Sequence, residues 1–355
     1  MSTTIDTYLG THGPAALVLR DELVPVEGHD SPFFPPTYAS GDNFPGGYNI
    51  DGEGADSVCL VDSVGAQANR IEPLFKKEPY AALVPQIIIS AGDTSVSLFD
   101  AGHRAGDAIV RCSSLQEELA AAFKALQKGD ATPLAKIAPT SLVFGVWDSR
   151  DTQAKAPRLL SSAIRAFGVQ RLRRSAQYNP AAEYVASGLV DEPADAAGKK
   201  AFAERGFSHV PATATHGGII AKGGIRRDAT LSLAALNLLH AGTDVEATTR
   251  LRRYILGLGL VAFTANPTGY LRQGCNLVLD GDKSEPRRLL EVYPSGERKP
   301  FKVSHEEALA FAAAAAKDFG VGPSRTVPFD KVKAAAELAG DGDGKKAKPA
   351  RKAKP

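Results

Sequence analysis

The chain has 355 residues, of which 43% are hydrophobic and 23% are charged, a balance that is typical of a soluble globular protein and excludes a fully disordered chain. Three widely spaced cysteines (Cys59, Cys112 and Cys275) indicate buried thiols in a reducing compartment rather than a disulfide framework, so we expect a cytoplasmic protein. The longest apolar run, 254–265, is too short to span a membrane, which needs about 20 residues, and the N-terminus lacks the pattern of a signal peptide.

The charge is unevenly distributed, although the whole chain carries only +2. Residues 1–149 carry a net −10 and residues 150–253 a net +7. This segregation favours an electropositive face that suits an anionic partner; the alternatives are solvated faces on both parts, or an acidic part that meets a basic surface of another subunit. Residues 341–355 are basic, contain no large apolar side chain and are predicted to be a disordered tail, which leaves 1–340 as a single folded domain.

In chain order, the first predicted element is a half-buried strand over 15–26, where apolar and polar residues alternate. A loop rich in proline and glycine follows over 29–54. Apolar residues at helical spacing then predict a helix from about Asp56 to Phe75, capped by Asp56 or Ser57. The remaining elements predicted in this half are a strand over 86–90, a helix over 115–126 and a central strand over 141–147.

The second half also mixes helices and strands. A helix is predicted from Pro157, since the first helical turn tolerates proline, and another from Asp228 as its N-cap. Strands are predicted over 255–264, 274–279 and 288–293, and a capping box at Ser304–Glu307 opens an Ala-rich helix that runs to about Phe319. Because strands and helices come in separate groups with long irregular connections, the pattern predicts an α+β fold.

The sequence nominates no metal, cofactor or catalytic residue. None of the seven histidines pairs with a cysteine or with a second histidine at ligand spacing. A nucleophile elbow and a Walker A motif are both absent from the sequence. His103 beside Arg104 is interpreted as a hydrogen-bonded structural histidine rather than as a catalytic one.

A glycine-rich segment over 217–228 is a candidate anion site. Its two glycine pairs precede the helix predicted at Asp228, whose N-terminus would present backbone amides to an anion. Lys222, Arg226 and Arg227 add positive charge at the same point. The alternative is a tight hairpin, which also needs glycine.

The strongest local signal is a basic cluster over 150–174. It contains seven basic residues and one acid, and six of the seven are arginine, which offers phosphate a planar fork of donors. On the helix predicted from Pro157, Arg158 and Arg165 share a face opposite an apolar stripe. We interpret the cluster as a surface for a nucleic-acid backbone; the alternative is an Arg-rich helix that packs against an acidic subunit.

A polar stripe on the helix predicted over 56–75 is a second candidate. Ser63, Gln67 and Arg70 share one face of this helix, and Gly65 would let a backbone approach closely. The alternative is an ordinary solvated helix face.

Six segments, in this order, resemble one known family. They are 62–72, 100–111, 142–150, 172–178, 223–230 and 270–275. From about residue 15 to about residue 320, the chain resembles the backbone subunit of the type I-G (formerly I-U) CRISPR Cascade effector, a member of the RAMP superfamily.

The resemblance implies an α+β fold with an RRM-like (ferredoxin-like) core and large insertions at about 27–55 and 177–216, including a thumb β-hairpin. It implies a non-catalytic protein that polymerises head-to-tail along CRISPR RNA and presents that RNA to target DNA. The implied partners also include the other Cascade subunits, namely the large subunit and the guide-end capping or processing subunit, and no membrane. Contacts with the RNA backbone carry over to Ser63, Gln67, Asn69 and Arg70, and those of a basic loop to Arg150 and Arg158.

The predicted RNA-binding set combines these segments. Its members are Ser63, Gln67, Asn69, Arg70, Arg150, Arg158, Arg165, Arg171, Arg173, Arg174, Lys222, Arg226 and Arg227. Two other functions compete with a guide-RNA filament subunit: a metabolic enzyme that holds a phosphorylated ligand at Gly217–Asp228 with His103 or His216 as acid or base, and a structural scaffold whose arginines bind proteins.

Overall fold

The computed structural model describes residues 4–10, 12–266 and 269–340, so the predicted tail at 341–355 lies outside the described residues. The strands are β1 Ala16–Pro25, β2 Thr37–Tyr38, β3 Gly47–Tyr48, β4 Ile50–Asp51, β5 Val58–Asp62, β6 Ile87–Ala91, β7 Thr94–Ser97, β8 Val146–Trp147, β9 Lys155–Ala156, β10 Leu160–Phe167, β11 Val169–Tyr178, β12 Val210–Ala221, β13 Ile225–Ser232, β14 Tyr270–Arg272, β15 Cys275–Leu279, β16 Arg287–Val292, β17 Arg298–Pro300 and β18 Arg325–Pro328. The helices are α1 Val64–Ile71, α2 Ala108–Arg111, α3 Gln116–Gln127, α4 Thr132–Ile137, α5 Pro139–Phe144, α6 Ala196–Glu204, α7 Leu233–Leu236, α8 Val245–Thr264, α9 His305–Phe319 and α10 Lys331–Gly340.

A curled antiparallel sheet forms the centre of the fold. Its strand order is β14–β15–β1–β13–β10–β5–β4, and β16 pairs with β1 and with β17. One edge of β1 pairs with β13, and the other edge is shared by β16 and β15. The four strands β16–β1–β13–β10, with α1 packed on β10 and α8 on β13, form the β-α-β-β-α-β arrangement of ferredoxin-like folds. The structure is therefore an α+β fold consistent with an RRM-like core that carries insertions, as predicted.

One face of the sheet is buried and the other is partly open. Leu17, Leu19 and Leu23 of β1 are buried, whereas Arg20 between them is exposed, so the period-2 pattern of the first strand is confirmed. The buried face packs against α8, whose side chains are covered on every side from Tyr254 to Thr264. Among the described residues, no helix is both long enough and apolar enough to cross a membrane.

A two-stranded ribbon projects from the sheet between β10 and β13. It consists of β11 and β12, and residues 179–209, which include α6, connect the two strands at its far end. Its base is anchored where Phe33, which is fully buried, bridges to Ile219 and where the backbone amide of Gly218 donates to the Tyr48 hydroxyl at 2.9 Å. Most of β11 is exposed, so the ribbon offers its side chains to solvent.

Several predicted elements are confirmed. The strands at 86–90, 274–279 and 288–293 correspond to β6, β15 and β16, and the helix at 115–126 is α3. The capping box is present, since Ser304 Oγ accepts from the Glu307 amide at 3.1 Å and the Glu307 carboxylate accepts from the Ser304 amide at 2.8 Å. The loop at 29–54 contains only the two-residue strands β2, β3 and β4.

The single helix predicted from Asp56 to Phe75 is wrong. The segment begins with β5, continues as α1 and ends in a 3-10 helix, Glu72–Lys76. Ser63 is the N-cap, because its Oγ accepts from the Ala66 amide at 3.2 Å. The apolar residues used for the helix prediction come from both β5 and α1. A five-residue strand is too short for its own alternation to dominate the pattern.

Two further predictions exchanged helix and strand. Residues 139–144 form α5 rather than a central strand, and Gly145, at φ +81°, ends that helix. Residues 160–167 form the central strand β10 rather than a helix from Pro157. Both segments are largely buried on all sides, and periodicity then does not distinguish a short helix from a strand.

The same ambiguity affects the segment 225–264. Asp228 lies within β13 and is not a helix N-cap; the short helix α7 begins after Ser232 instead. Residues 255–264, predicted to be a strand, belong to the 20-residue helix α8, which Asp244 caps by accepting from the Ala247 amide at 2.9 Å. Complete burial of this half of α8 removes the polar stripe that marks most helices.

A close contact between α8 and α9 predicts a stability effect. A Cβ at Gly257 of α8 would lie 2.8 Å from the Ala312 Cα of α9. We therefore expect Gly257→Ala to lower the free energy of unfolding by about 1–3 kcal/mol through overpacking, despite its better helix propensity. Urea denaturation measures the change.

The matched control is the exposed helical glycine Gly65. A Cβ there would meet only Ser63 Oγ, at 3.9 Å. Gly65→Ala should therefore stabilise the fold by up to about 1 kcal/mol through helix propensity alone. A Gly257→Ala variant as stable as Gly65→Ala would contradict close packing between α8 and α9.

Candidate nucleic-acid interface

A surface groove of about 870 Å³ lies beside α1. Three elements line it. They are α1, through Gly65 and Asn69, the turn at 102–104, and the small hairpin of β8 and β9. The side chains relevant to binding are an amide, an aromatic ring and three cations: Asn69, Trp147, Arg104, Lys155 and Arg158. We call this feature the basic groove.

Asp62, the last residue of β5, fixes the orientation of α1. Its buried carboxylate accepts from Gln67 Nε2 at 2.7 Å and from Arg70 Nε at 3.0 Å. Arg272 of β14 reaches the other carboxylate oxygen at 3.0 Å. Gln67 Oε1 in turn accepts from Ser162 of β10 at 2.9 Å, so this network joins α1 to three strands of the sheet, β5, β10 and β14.

The floor of the basic groove is a buried ion pair. Arg104 Nε lies 2.6 Å from Glu72 Oε2, and both side chains are at most 5% exposed. The Arg104 guanidinium also donates to Asn69 Oδ1 at 3.2 Å and packs over the Phe144 ring. Burial raises the pKa of Glu72 to about 7, although Arg104 and Thr140 act in the opposite direction.

Arg158 is held at the groove wall by the backbone. Its Nε donates to the Phe144 carbonyl at 2.7 Å, and Gly145 leaves room for this approach, since a Cβ there would lie 3.2 Å from the Arg158 Cα. Partial burial, and then the charge of Arg104, lower the pKa of Arg158. Arginine keeps its charge in proteins all the same, so the groove wall stays cationic.

Trp147 forms an exposed aromatic platform. Its side chain is 53% exposed, and Lys155 Nζ lies 4.3 Å from the ring centroid, within the range of a cation–π contact. The loop from β8 to β9 is braced by Asp148, whose Oδ2 accepts from the Thr152 amide and hydroxyl at 2.8 and 2.7 Å. An exposed indole beside cations can stack on a nucleobase while the cations hold its phosphates.

Seven of the thirteen residues predicted to bind RNA lie in four places. Asn69 and Arg158 line the basic groove, and Arg150 is exposed on the adjoining loop. Three more, Arg171, Arg173 and Arg174, occupy exposed positions of β11 in the ribbon. Lys222 is exposed in the turn after β12.

Four other predicted residues make contacts within the fold. Ser63 caps α1. Gln67 and Arg227 are only 4% exposed, so neither is available to a nucleic-acid strand at the protein surface. Arg70 forms an ion pair with Asp62. Within the predicted polar stripe of α1, Gln67 faces the sheet, whereas Ser63 is half-buried and Arg70 is exposed.

Arg165 and Arg226 do not lie on a basic helix. They stand opposite each other on β10 and β13, and Arg226 pairs with Asp228 at 2.8 Å. The shared helix face predicted for Arg158 and Arg165 is therefore wrong, because Arg158 precedes β10 and Arg165 lies within it.

The predicted anion cradle at 217–228 is also wrong in its geometry. Gly217 and Gly218 lie inside β12, Gly223 and Gly224 form the turn to β13, and no described helix begins there. The alternative of a tight hairpin is the one observed, with Gly224 at φ +86°.

Trp147, Lys155 and Arg104 were not in the predicted set. Trp147 was assigned to the end of a buried strand, and its exposure follows from the bend at Gly145, which the sequence alone does not reveal. A lone exposed tryptophan followed by an Arg-rich loop is the signal that could have identified it.

Three side chains could converge on a cation. His29 Nε2 lies 3.1 Å from Asp280 Oδ1 and 3.2 Å from Asp282 Oδ2, and within the described part of the chain this is the one group with such spacing. Local spacing could not indicate it, because 251 residues separate His29 from Asp280.

One family model matches part of the chain. Residues 17–171 match the family model described as CRISPR-associated protein GSU0053 (Cas_GSU0053), which covers somewhat less than half of the chain and includes the whole basic groove. No curated protein matches the chain. The family match supports a CRISPR-associated protein.

The buried ion pair below the groove predicts a pH dependence. A carboxyl group whose pKa rises from 4.5 when unfolded to about 7 when folded holds its proton more tightly in the folded state. The free energy of unfolding should therefore fall as pH rises from about 4.5 to 7, by up to about 3 kcal/mol. Glu72→Gln should remove this slope in urea denaturation curves.

The control for this substitution is Glu117→Gln, at an exposed position of α3. It should leave the pH slope of the wild type unchanged. An unchanged slope in Glu72→Gln would show that Glu72 stays ionised beside Arg104 throughout this pH range.

Proposed function

We propose that the chain is a non-catalytic, CRISPR RNA-binding backbone subunit of a type I-G Cascade effector in the cytoplasm. The observation that carries the proposal is the basic groove, in which the Trp147 platform and the cations Lys155 and Arg158 line one surface. The family match, which includes these residues, supports it.

The ribbon supplies a second surface through which the proposed subunit contacts RNA. Arg171, Arg173 and Arg174 are exposed on β11, the strand that leads into the segment 177–216, where the resemblance implies a thumb. Phosphate contacts of this kind are independent of base sequence. Such a subunit can therefore accept any guide and leave base pairing with the target DNA to supply specificity.

Assembly follows from the same proposal. The acidic N-terminal part and the basic segment 150–253 suit head-to-tail contacts between copies, which extend without closing. The large subunit and the guide-end capping or processing subunit are the further partners proposed.

The direct test is co-expression of the chain with a CRISPR RNA. We expect a large nucleoprotein in size-exclusion chromatography, with a high ratio of absorbance at 260 to 280 nm, that shrinks when ribonuclease is added. A monomer free of nucleic acid in the presence of the RNA would contradict the proposal.

The ribbon arginines predict a salt-dependent contribution. Replacing Arg171, Arg173 and Arg174 together with alanine should weaken binding of a single-stranded RNA at least about 10-fold at 0.1 M salt. The slope of log K against log salt should flatten by about 2, because each phosphate contact contributes about 0.7. Fluorescence anisotropy at several salt concentrations measures both.

The charge-matched control removes three exposed lysines elsewhere, Lys124, Lys128 and Lys317. It should change affinity and slope far less. Equal effects of the two triple variants would mean that only net charge matters and that the ribbon has no specific role.

The Trp147 platform predicts a contribution that salt does not change. Trp147→Ala should lose the ~1–3 kcal/mol of one base–aromatic stack and leave the salt slope unaltered, because no charge is removed. Trp147→Phe should restore part of the affinity, and Leu238→Ala, at a 71% exposed apolar position, serves as the control. An altered slope without a loss of affinity would argue against stacking.

A further inference from the structure

A separate cavity lies on the other side of α1, between that helix, the end of α8 and the buried face of the sheet. It has a volume of about 140 Å³, well above the ~15 Å³ that one water needs. Its walls are mostly apolar, with Leu23, Ile164 and Leu271 among them. The described residues that line it include three cations and no carboxylate: Arg70, Lys77 and Arg227.

The two carboxylates next to this cavity are already shared. Asp21 accepts from Arg287 at 2.8 and 3.2 Å and lies 3.3 Å from Arg227 Nε. Asp62 is shared by Arg70 and Arg272, each at 3.0 Å. Each buried carboxylate therefore faces two guanidinium groups, and positive charge is left over.

Arg227 is buried with weak compensation. Its side chain is 5% exposed, and its Nε lies 3.3 Å from Asp21 Oδ2 but makes no hydrogen bond within the described part of the chain. Burial, together with the nearby charge of Arg287, lowers the pKa of Arg227. A buried cation without full compensation costs several kcal/mol, and a bound anion would supply the missing charge.

We propose that this cavity binds a phosphoryl group. Arg70, Lys77 and Arg227 approach from different walls, and Asn266, whose Oδ1 accepts from Arg287 at 3.0 Å, keeps its NH₂ for donation. Donors in several directions suit a tetrahedral oxyanion with two negative charges better than a flat carboxylate. The apolar walls can take the carbon part of a phosphate ester.

This site is distinct from the basic groove and does not rest on the proposed function. Asn69 and Gly65 of α1 face the groove, whereas Gln67 and Arg70 face the cavity. The phosphoryl group can come from free phosphate or a nucleotide, or from a phosphate of a bound strand. The experiment separates these two sources.

The experiment is thermal unfolding of the full chain without RNA, in inorganic phosphate and in chloride at equal ionic strength. The midpoint should rise with the logarithm of the phosphate concentration, by about 4 °C at 100 times Kd. Arg227→Met should abolish this rise without lowering the midpoint in chloride, because Arg287 still pairs with Asp21.

A second pair of variants keeps the test valid if Arg227→Met fails to fold. Lys77→Met changes an exposed side chain at the cavity, and Lys76→Met changes its neighbour, which pairs with Asp100 outside the cavity at 2.8 Å. The phosphate response should fall at least about 3-fold in Lys77→Met and persist in Lys76→Met.

Repeating the titration on the RNA-loaded complex identifies the source. A response that persists with RNA bound indicates a free phosphate or nucleotide, and one that RNA abolishes indicates a strand phosphate in the cavity. Equal midpoints in phosphate and chloride, or full responses in both Arg227→Met and Lys77→Met, would overturn the proposal. That result would leave the RNA-binding proposal untouched, because it is measured without RNA.

Discussion

The Asp62 carboxylate is the constraint on which the position of both sites depends. It ends β5, receives Gln67 and Arg70 from α1, and receives Arg272 from β14. Because a buried carboxylate needs its hydrogen bonds and counter-charges satisfied, these contacts fix the rotation of α1 about its axis. That rotation directs Asn69 towards the basic groove and Arg70 towards the cavity. The identity of one residue at a strand end therefore sets the two faces of the helix.

Sequence patterns succeeded where an element has one buried face and failed where it has two. β1 alternates buried and exposed side chains, and α9 begins with a complete capping box, so both were predictable. β10 and the second half of α8 are buried almost all round, and neither period 2 nor period 3.6 remains visible in such a run. The predicted fold class is still correct although helix and strand were exchanged in these segments, because the α+β prediction depended on the grouping of elements rather than on each one.

The site was predictable in part, for a similar physical reason. Charge indicated the ribbon arginines and Arg158, and the structure leaves the ribbon residues exposed. Spacing on a helix could not tell that Gln67 faces the sheet, since a polar residue satisfied by Asp62 and Ser162 looks the same in sequence as a solvated one. Trp147 was missed for the opposite reason, because apolar residues are normally assigned to the core.

The cations of the chain differ in how strongly salt screens their attraction for an anion, and under the proposed function this difference gives them different roles. The ribbon arginines are exposed, so their attraction for a strand is screened beyond about 8 Å at physiological ionic strength. Arg104 and Arg158 are partly or wholly buried, where screening is weaker and a fixed guanidinium loses little entropy on binding. We therefore expect the ribbon to govern how fast a strand is captured and the groove to govern how long it stays. Ribbon substitutions should accordingly act mainly on the association rate, and Trp147→Ala mainly on the dissociation rate.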